Sequence, residues 1–369
     1  MADIEAVRAF LGDDVDRYRG VLYEALKTDR SYLDRVNKYI LGNRGKEMRP
    51  LLSLLVGRCC GNLTEKSYCC AAVSEMLHTA TLLHDDVVDQ APKRRNAPTV
   101  GVKFSPFVAV LTGDFWLSGV LALLAEKCDK KHIILFTNAT KKLSEGELLQ
   151  IDKADSLDTT EEDYFTIIYC KTAVLFETTV KSAAYAVEAP QQVIDGVASF
   201  AKYLGLAFQI RDDIFDYSPS METGKIFGID LKERKITLPL LGAFKNAPQK
   251  REEIISKIKE LSETDCTPER EKQIIDEVFA FVNDNKGLEY AQEAANQYLT
   301  MGIDCLKVLP DSPAKQMLIE FAEFVCRRSK EFLQIPVSEN HQSQTQGRVA
   351  AGGSLLHLRQ RRKIEYSSL

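Results

Sequence analysis

Two clusters of aspartates are the residues of this chain best suited to do chemistry. They read Asp85-Asp86-Val87-Val88-Asp89 and Asp212-Asp213-Ile214-Phe215-Asp216. Each places acids at positions i, i+1 and i+4, so on a helix the i and i+4 acids share one face. Carboxylates this close repel one another unless cations neutralise them. Because Mg²⁺ takes few protein carboxylates and leaves positions for phosphate oxygens, the two clusters predict a diphosphate held between them by several Mg²⁺ ions.

Basic residues accompany the acids. Arg94 and Arg95 follow the first cluster, and two adjacent arginines suit planar recognition of phosphate oxygens. Lys46 and Arg49 stand three apart before a helical run, and Lys171 lies within another run. Taken singly, these residues have plainer explanations, such as a solvated loop or a lysine that reaches from an apolar run to water. Beside the carboxylates, phosphate binding is the favoured interpretation.

The elements that must position these residues are helices. Apolar residues recur at steps of three and four along most of the chain, and the alternation typical of strands is nearly absent. Pro and Gly fall mostly between the helical runs. We therefore predict an all-α fold in a single domain over residues 1–333. The predicted helices cover 14–40, 50–60, 64–89, 105–126, 130–152, 160–187, 190–217, 236–246, 248–261, 268–307 and 311–333.

The segment after the second cluster has the composition of a lid. Gly224 and Gly228 loosen it, and Lys225, Lys232 and Lys235 charge it. A mobile lid of this kind could fold lysines over phosphate and exclude water, although a plain surface loop explains the composition equally well.

Residues 334–369 differ from the rest of the chain, being rich in Gln, Ser and Gly and then basic. This composition predicts a disordered tail, and a cloning scar or altered reading frame would look the same. Contact of the basic part with a membrane surface is the weaker alternative.

The overall composition sets outer limits. The chain has 369 residues, 45% of them hydrophobic, and a formal net charge of −5, so no global feature favours nucleic-acid binding. Its nine cysteines include no C-x-x-C pair, which favours free thiols in a reducing compartment. The first residues lack the pattern of a signal peptide, and no apolar stretch stands out as a membrane span. We therefore expect a cytoplasmic protein.

The motifs together resemble those of one enzyme family. The run LLHDDVVDQAPKRRN resembles the first aspartate-rich motif of the trans-isoprenyl diphosphate synthases, and GLAFQIRDDIFDY resembles the second. The stretches GKEMRP, HTATLLHDD, GDF, GELLQ, KTAVLFE and the lid segment also match, in family order. The resemblance covers nearly all of residues 14–333. Where family members often carry Gly before the last lid lysine, this chain has Arg234 before Lys235.

The resemblance implies a fold, an assembly and a set of residue roles. The fold would be an all-helical bundle around a central cavity, and the protein would be a homodimer. Three Mg²⁺ ions would be held by Asp85, Asp89, Asp212 and Asp216, with Asp86 and Asp213 supporting them. The allylic diphosphate would contact Arg94, Lys171, Thr172, Gln209, Lys225 and Lys235. Isopentenyl diphosphate would bind to Lys46, Arg49, His78 and Arg95, although a lone histidine on an apolar helix is more often a core residue.

The implied reaction is prenyl transfer. Loss of diphosphate from the allylic substrate gives a carbocation, which the double bond of isopentenyl diphosphate attacks before a proton is lost. Water must be excluded from the cation. Lys171 and Thr172 would act close to the reacting carbon, together with Asp85, Asp86, Asp89, Asp212 and Asp213.

The length of the product can be argued from the helix that carries the first cluster. The growing chain should run from Asp85 towards the start of that helix, past Thr81, Ala80 and Leu77. Family members with short products place an aromatic at one of the first two positions, and this chain has none. We therefore predict a product of about C35 to C50, with each five-carbon unit spanning about one helical turn, which would suit a quinone side chain made for a membrane. The alternative is that an aromatic from elsewhere, such as Phe136, closes the tunnel.

Other functions stay open at this point. A short-chain farnesyl or geranylgeranyl diphosphate synthase would share every motif. A terpene cyclase would not need the residues assigned to isopentenyl diphosphate, and a non-catalytic partner subunit would be expected to lose one aspartate cluster. A plain helical scaffold leaves both clusters unexplained.

Overall fold

The computed structural model describes residues 3–217, 228–261 and 266–327, and the described part is almost entirely helical. The first half consists of α1 Ile4–Leu11, α2 Asp13–Ala25, α3 Ser31–Gly42, α4 Met48–Cys60, α5 Glu65–Val88, strands β1 Lys93–Arg94 and β2 Ala97–Pro98, α6 Val100–Lys103, α7 Pro106–Lys127 and α8 Lys130–Ser156. The second half consists of α9 Glu161–Ile168, a π-helical turn Tyr169–Ala173, α10 Val174–Ala186, α11 Gln191–Asp216, α12 Ile229–Lys232, α13 Leu238–Asn246, α14 Arg251–Glu260, α15 Pro268–Asp284, α16 Gly287–Cys305 and α17 Pro313–Arg327, with single 3₁₀ turns at Pro248–Lys250 and Leu306–Val308.

The core lies around α5, α10 and α11. Helix α10 packs against α4, α5 and α11, and α11 packs on its other side against α16. One apolar cluster joins α1, α2 and α4 to α10, α11 and α17, and a second joins α9 and α11 to the helices from α13 to α16. The long helices that carry the two aspartate clusters are therefore held rigidly by their neighbours.

Helix α5 begins and ends where its sequence dictates. At its start Thr64 is the N-cap, and the Ser67 hydroxyl accepts the Thr64 N–H at 3.0 Å, which completes a capping box. At its end the Asp89 N–H is donated to the Asp85 carbonyl at 2.8 Å. The predicted helix over 64–89 is thus confirmed to within a residue at each end.

Two predicted helices are wrong because each is in fact a pair. The predicted helix 14–40 breaks between α2 and α3, where the Asn37 side chain donates to the Leu26 carbonyl at 3.1 Å and ties the two together. The predicted helix 268–307 breaks before Gly287, where a Cβ would lie 2.1 Å from the Pro239 carbonyl oxygen. Only glycine fits there, so the chain turns sharply against α13.

Helix α1, the short helices α6 and α12, the π-helical turn and the small hairpin were not predicted either. In the hairpin, Lys93 pairs with Pro98 and Arg94 with Ala97. The two residues between the strands, Arg95 and Asn96, have φ of 53° and 63°. Positive φ at both central residues is the signature of a type I′ turn, the turn that matches the twist of a two-residue hairpin.

Two helices, α7 and α11, are long and apolar enough to cross a membrane by length and composition alone. This corrects the expectation from the sequence that no apolar stretch stands out as a membrane span. In α11, 56% of the apolar window is buried inside the protein, as in an ordinary core helix. In α7 the buried share is 33%, so this helix keeps an apolar face that nothing in the described chain covers. The predicted tail 334–369 lies outside the described residues.

Candidate active site

The first aspartate cluster lies at the C-terminal end of α5. Burial raises the pKa of Asp85 to about 6, against the attraction of Lys171 and with a contribution from Glu147. The surrounding protein also raises the pKa of Asp89, and Lys235 opposes that rise. Both carboxylates therefore lie where their charge is unfavourable without a cation, which is the environment that a bound metal ion would relieve.

The third acid of this cluster, Asp86, is paired with Arg94. Its side chain is 7% exposed and accepts Nε and Nη2 of Arg94, each at 2.7 Å. The hairpin positions Arg94 so that both nitrogens reach the same oxygen of Asp86, Oδ1. Asp86 thus holds Arg94 in place, and Arg94, assigned to the allylic diphosphate, is paired with a carboxylate here.

The second cluster lies at the C-terminal end of α11, and its middle acid is bound from two sides. Tyr164 Oη donates to one oxygen of Asp213 at 2.6 Å, and Gln209 Nε2 donates to the other at 2.9 Å. The Gln209 carbonyl accepts the Thr172 hydroxyl at 2.6 Å. Burial, reinforced by nearby Asp230, raises the pKa of Asp213 to about 8. Asp213 therefore anchors Gln209, and through it Thr172, within the protein.

Asp212 and Asp216 are the more accessible acids of this cluster. Asp212 is exposed and Asp216 is half-buried. Asp216 accepts the backbone N–H groups of Ile229 and Asp230, both at 3.2 Å. Burial raises the pKa of Asp216 to about 6, and Asp230 adds to the rise. This pair resembles Asp85 and Asp89 in accessibility, with one acid half-buried and one exposed in each cluster.

The two clusters meet at Lys235. Burial lowers the pKa of this lysine, but its hydrogen bond to Glu233 and the charges of Asp230 and Asp89 outweigh burial and raise the pKa overall. Asp89 belongs to the first cluster, and Asp230 lies against Asp216 of the second. The structure therefore brings the ends of α5 and α11 to one site, with the residues after α12 between them.

Lys171 reaches the same site from the π-helical turn. Its Nζ lies 3.1 Å from Glu147 Oε2 and 3.3 Å from Gln150 Oε1, both on α8. Helix α8 can approach this closely because residue 146 is glycine: a Cβ there would lie 2.5 Å from the Cβ of Cys170. The glycine of the GELLQ motif thus sets the position of the lysine of the KTAVLFE motif.

The residues assigned to isopentenyl diphosphate form a basic group beside α5. Arg49 is buried, with its guanidinium 4.8 Å from the centre of the Phe176 ring, and burial lowers its pKa to about 10. Burial also lowers the pKa of His78 well below its ordinary value, and the charges of Arg49 and Arg95 act in the same direction, so the imidazole is neutral at pH 7. Arg95 donates to the Asn43 carbonyl at 3.2 Å.

Three residues of the candidate site, two beside the basic group and one beside the second aspartate cluster, were not singled out from the sequence. Glu75 lies among the arginines, and burial raises its pKa to about 7 against the attraction of Arg49. A charged residue inside an apolar helical run was the available signal for it. Glu47 is the residue after the half-buried Lys46, and its carboxylate is hydrogen-bonded to the N-terminal helices. Tyr164 gave no signal, since its partner in α11 is 49 residues away.

The predicted chain-length residues lie along α5 as expected, and none is aromatic. Leu77 and Ala80 are buried in an apolar cluster that includes Trp116 and Phe136. Thr81 is half-buried, and its hydroxyl donates to the His78 carbonyl at 2.9 Å.

Two parts of the predicted site remain to be placed. Lys225 lies outside the described residues. Within residues 3–217, 228–261 and 266–327, no group of three or more His, Cys, Asp or Glu side chains could hold a metal ion on its own. This suits Mg²⁺, which needs only one or two carboxylates and completes its coordination with phosphate oxygens and water.

Comparison with known proteins decides the family. The model of the polyprenyl synthetase family matches residues 30–278. The chain belongs to the polyprenyl synthetase family. Octaprenyl diphosphate synthase from Haemophilus influenzae is 33% identical over 323 residues, which is 87% of this chain and 96% of that protein.

Members of the polyprenyl synthetase family with solved structures share the fold. The crystal structure of a decaprenyl diphosphate synthase from Rhodobacter capsulatus matches with a TM-score of 0.82 and 29% identity, over 88% of this chain and 99% of that one. A polyprenyl synthase from Caulobacter crescentus, complexed with calcium and isoprenyl diphosphate, matches with a TM-score of 0.80 and 26% identity, over 88% and 98%. The all-helical isoprenoid synthase fold is thus confirmed, and the chain is a trans-prenyl diphosphate synthase, a prenyltransferase.

Proposed function

We propose that this polyprenyl synthetase condenses isopentenyl diphosphate with farnesyl or geranylgeranyl diphosphate to give an all-trans product of about C35 to C50, each unit spanning about one turn of α5. The observation that carries the proposal is the pair of small residues, Ala80 and Thr81, one turn behind Asp85. An aromatic ring at either position would stop the growing chain directly below the diphosphate. The long-chain products in the names of its relatives support the same conclusion.

The acids divide into ligands and anchors. Asp85, Asp89, Asp212 and Asp216 would hold three Mg²⁺ ions, which supply positive charge to the departing diphosphate when bound. For Asp85, Asp89 and Asp216 the fit rests on raised pKa values that cations would relieve, and for Asp212 on its exposed position in the same cluster. Asp86 holds Arg94 through Oδ1, and both oxygens of the buried Asp213 are bound by the Tyr164 and Gln209 side chains.

The chain's own residues then bind and orient the two substrates. Lys171 and Lys235, which lie beside Asp85 and Asp89, attract the allylic diphosphate from two sides. The Thr172 hydroxyl and the Gln209 amide, fixed through Asp213, lie next to Lys171 and present dipoles towards the carbon that becomes cationic.

The basic group beside α5 receives isopentenyl diphosphate. Arg49, Arg95 and Lys46 provide charge, and the neutral imidazole of His78 can donate one hydrogen bond. Arg94 can contact a diphosphate through Nη1 while Nε and Nη2 stay on Asp86. Closure of the site over the substrates excludes water, which would otherwise quench the cation.

We also propose that the enzyme is a homodimer formed through α7 and α8. Large apolar side chains on these helices are exposed in the single chain: Phe107, Val110, Leu111, Leu121, Ile134, Leu148 and Ile151. Those of α7 recur at helical spacing on the face opposite its buried residues, such as Trp116. A contiguous apolar face of this kind marks an interaction surface, and a second copy presents a matching face.

The proposed setting is the cytoplasm, with the product passed to a membrane for attachment to a quinone ring. A prenyl chain of this length is insoluble in water, so delivery requires at least transient contact with lipid. The exposed face of α7 could serve that contact if it were not covered by a second copy.

One assay tests the proposed reaction. The purified chain is incubated with Mg²⁺, farnesyl diphosphate and labelled isopentenyl diphosphate, and the extracted products are measured by mass spectrometry. Long all-trans prenyl diphosphates are expected. Products that stop at C20 would establish the short-chain alternative, a cyclic hydrocarbon without use of isopentenyl diphosphate would establish a terpene cyclase, and no turnover without a second protein would establish a partner subunit.

A further inference from the structure

We propose that Glu47 is a positioning residue that holds the segment carrying Lys46 and Arg49 in the shape that binds isopentenyl diphosphate. This inference rests on the proposed function. Glu47 lies between these two basic residues in sequence, yet it is 4% exposed and points into the protein. Its backbone is left-handed, with φ of 56°, at the start of α4.

The Glu47 carboxylate is bound by both N-terminal helices. Tyr18 Oη donates to its Oε1 at 2.5 Å, and Arg19 donates through Nε at 3.2 Å and through Nη2 to Oε2 at 2.5 Å. From α1, Arg8 Nη2 donates to Oε2 at 3.2 Å and to the backbone carbonyl of Lys46 at 3.3 Å. Burial raises the pKa of Glu47, but Arg19 and Tyr18 outweigh burial and lower it, so the carboxylate is ionised.

These contacts explain the shape of the backbone. A glutamate with positive φ is uncommon, and such a conformation persists only where its surroundings impose it. Here Tyr18, Arg19 and Arg8 bind the Glu47 side chain. Arg8 also binds the backbone carbonyl of Lys46, so the turn is held in this conformation. Lys46 and Arg49 are consequently held on either side of a rigid corner.

Considered by its charge alone, Glu47 would be expected to weaken the binding of isopentenyl diphosphate. A negative charge next to a diphosphate site should weaken anion binding, so its removal should lower KM for isopentenyl diphosphate. If Glu47 acts by positioning, its removal should raise that KM, because the corner is no longer fixed. The sign of the change therefore distinguishes the two roles.

The decisive variant is Glu47→Gln, which removes the charge at nearly constant shape. We expect KM for isopentenyl diphosphate to rise about tenfold, the effect of losing one charged hydrogen bond, while kcat and KM for the allylic substrate change by less than about twofold. An unchanged or lower KM for isopentenyl diphosphate would overturn the proposal.

Three companion variants keep the test clear. Glu5→Gln removes the other carboxylate that contacts Arg8, at 2.5 Å on the exposed side, and should change neither KM. Tyr18→Phe removes one donor and should raise the same KM by a smaller factor. Glu47→Gly accepts positive φ without strain, so it should fold yet behave like Glu47→Gln. A Glu47→Gly variant with the wild-type KM would show that the carboxylate is not needed.

The wild-type enzyme is measured first under the same conditions. If it does not consume isopentenyl diphosphate, the proposed function fails and the variants have no bearing on it. If it does, and KM is the same in Glu47→Gln and Glu5→Gln, only the positioning role fails.

Discussion

At the scale of single residues, each aspartate cluster divides its carboxylates between two tasks. The acid at position i+1 is tied into the protein in both cases, Asp86 by Arg94 and Asp213 by Tyr164 and Gln209. Of the acids at i and i+4, Asp89 and Asp212 are exposed and Asp85 and Asp216 are half-buried. This follows from helix geometry, since a residue one step further on is rotated by about 100° away from the shared face.

The buried Glu75 should make the stability of the folded protein depend on pH. Its pKa is raised to about 7 in the folded protein by burial, from an ordinary value near 4.5. The folded state therefore holds a proton that the unfolded state loses, and stability falls as pH rises from about 4.5 to 7, by up to about 1.4 kcal/mol per pH unit.

The variant Glu75→Gln should not lose stability in this way as the pH rises. Measured by chemical denaturation, its stability relative to the wild type should improve between pH 5 and 8 by roughly 1 to 3 kcal/mol, with little change below pH 4.5. Glu5→Gln, at an exposed carboxylate, is the control. A difference that does not vary with pH would contradict the assignment.

The sequence could single out the two aspartate clusters because the acids and their spacing are local features. It could not show which acid faces inward, because the partners come from distant elements. Tyr164 on α9 and the Gly45–Arg49 corner are fixed by contacts with chain segments many residues away. Those contacts follow from packing, which a single sequence does not display.

At the scale of elements, the π-helical turn and α8 form one unit through Gly146. A Cβ at this position would lie 2.5 Å from the Cys170 Cβ and 3.2 Å from the Lys171 backbone nitrogen. We expect Gly146→Ala to lower the free energy of unfolding by about 1 to 3 kcal/mol through overpacking, and to reduce kcat because Lys171 moves.

The matched control is Gly20→Ala on α2, where nothing lies within 4 Å of the added Cβ. There alanine should stabilise the helix by up to about 1 kcal/mol and leave kcat unchanged. Thermal unfolding and steady-state kinetics of both variants test the prediction, which fails if Gly146→Ala behaves like Gly20→Ala.

Helix α5 should also set the length of the product. Thr81 is half-buried and can accept a larger side chain more readily than Ala80, which is 1% exposed. In Thr81→Phe the ring should block the tunnel after about one or two further units, since each unit spans about one helical turn. Mass spectrometry should show shorter products with turnover retained.

The control for chain length is Val102→Phe, which adds the same ring at an exposed position on α6. Its products should match those of the wild type. If Thr81→Phe also makes the wild-type product, the growing chain does not pass this face of α5.

Periodicity predicted the long helices well and the joints between them poorly. The break between α2 and α3 carries neither Gly nor Pro, and the π-helical turn is built from residues that an α-helix accepts. The break before α16 does carry Gly287, but its cause is the Pro239 carbonyl of another helix. Joints of this kind are set by the neighbouring helices, so the local sequence leaves them ambiguous.

At the scale of the whole molecule, α7 is the least satisfied element. It is apolar on both faces, and one face meets no partner in the described chain. If α7 forms the proposed dimer interface, the double variant Leu111→Glu, Leu121→Glu should shift the protein from dimer to monomer in sedimentation equilibrium, because charges at a closely packed interface are strongly unfavourable.

The control is Met301→Glu, at an exposed apolar residue of α16 outside this face. It should leave the sedimentation behaviour unchanged. A wild-type protein that sediments as a monomer would exclude the homodimer, and binding of that monomer to lipid vesicles would favour the membrane-contact alternative for α7.

The contacts of Arg8 bear on how much of the polypeptide a working enzyme needs. The stretch matched by the family begins at residue 30, whereas Arg8, Tyr18 and Arg19 all precede it. A recombinant fragment trimmed to the matched stretch would keep both aspartate clusters but lose the side chains that bind Glu47 and the Lys46 carbonyl. If Glu47 has the proposed positioning role, preparations for inhibitor screening should retain the N-terminal helices, because compounds aimed at the proposed isopentenyl diphosphate site would otherwise be ranked against a distorted target.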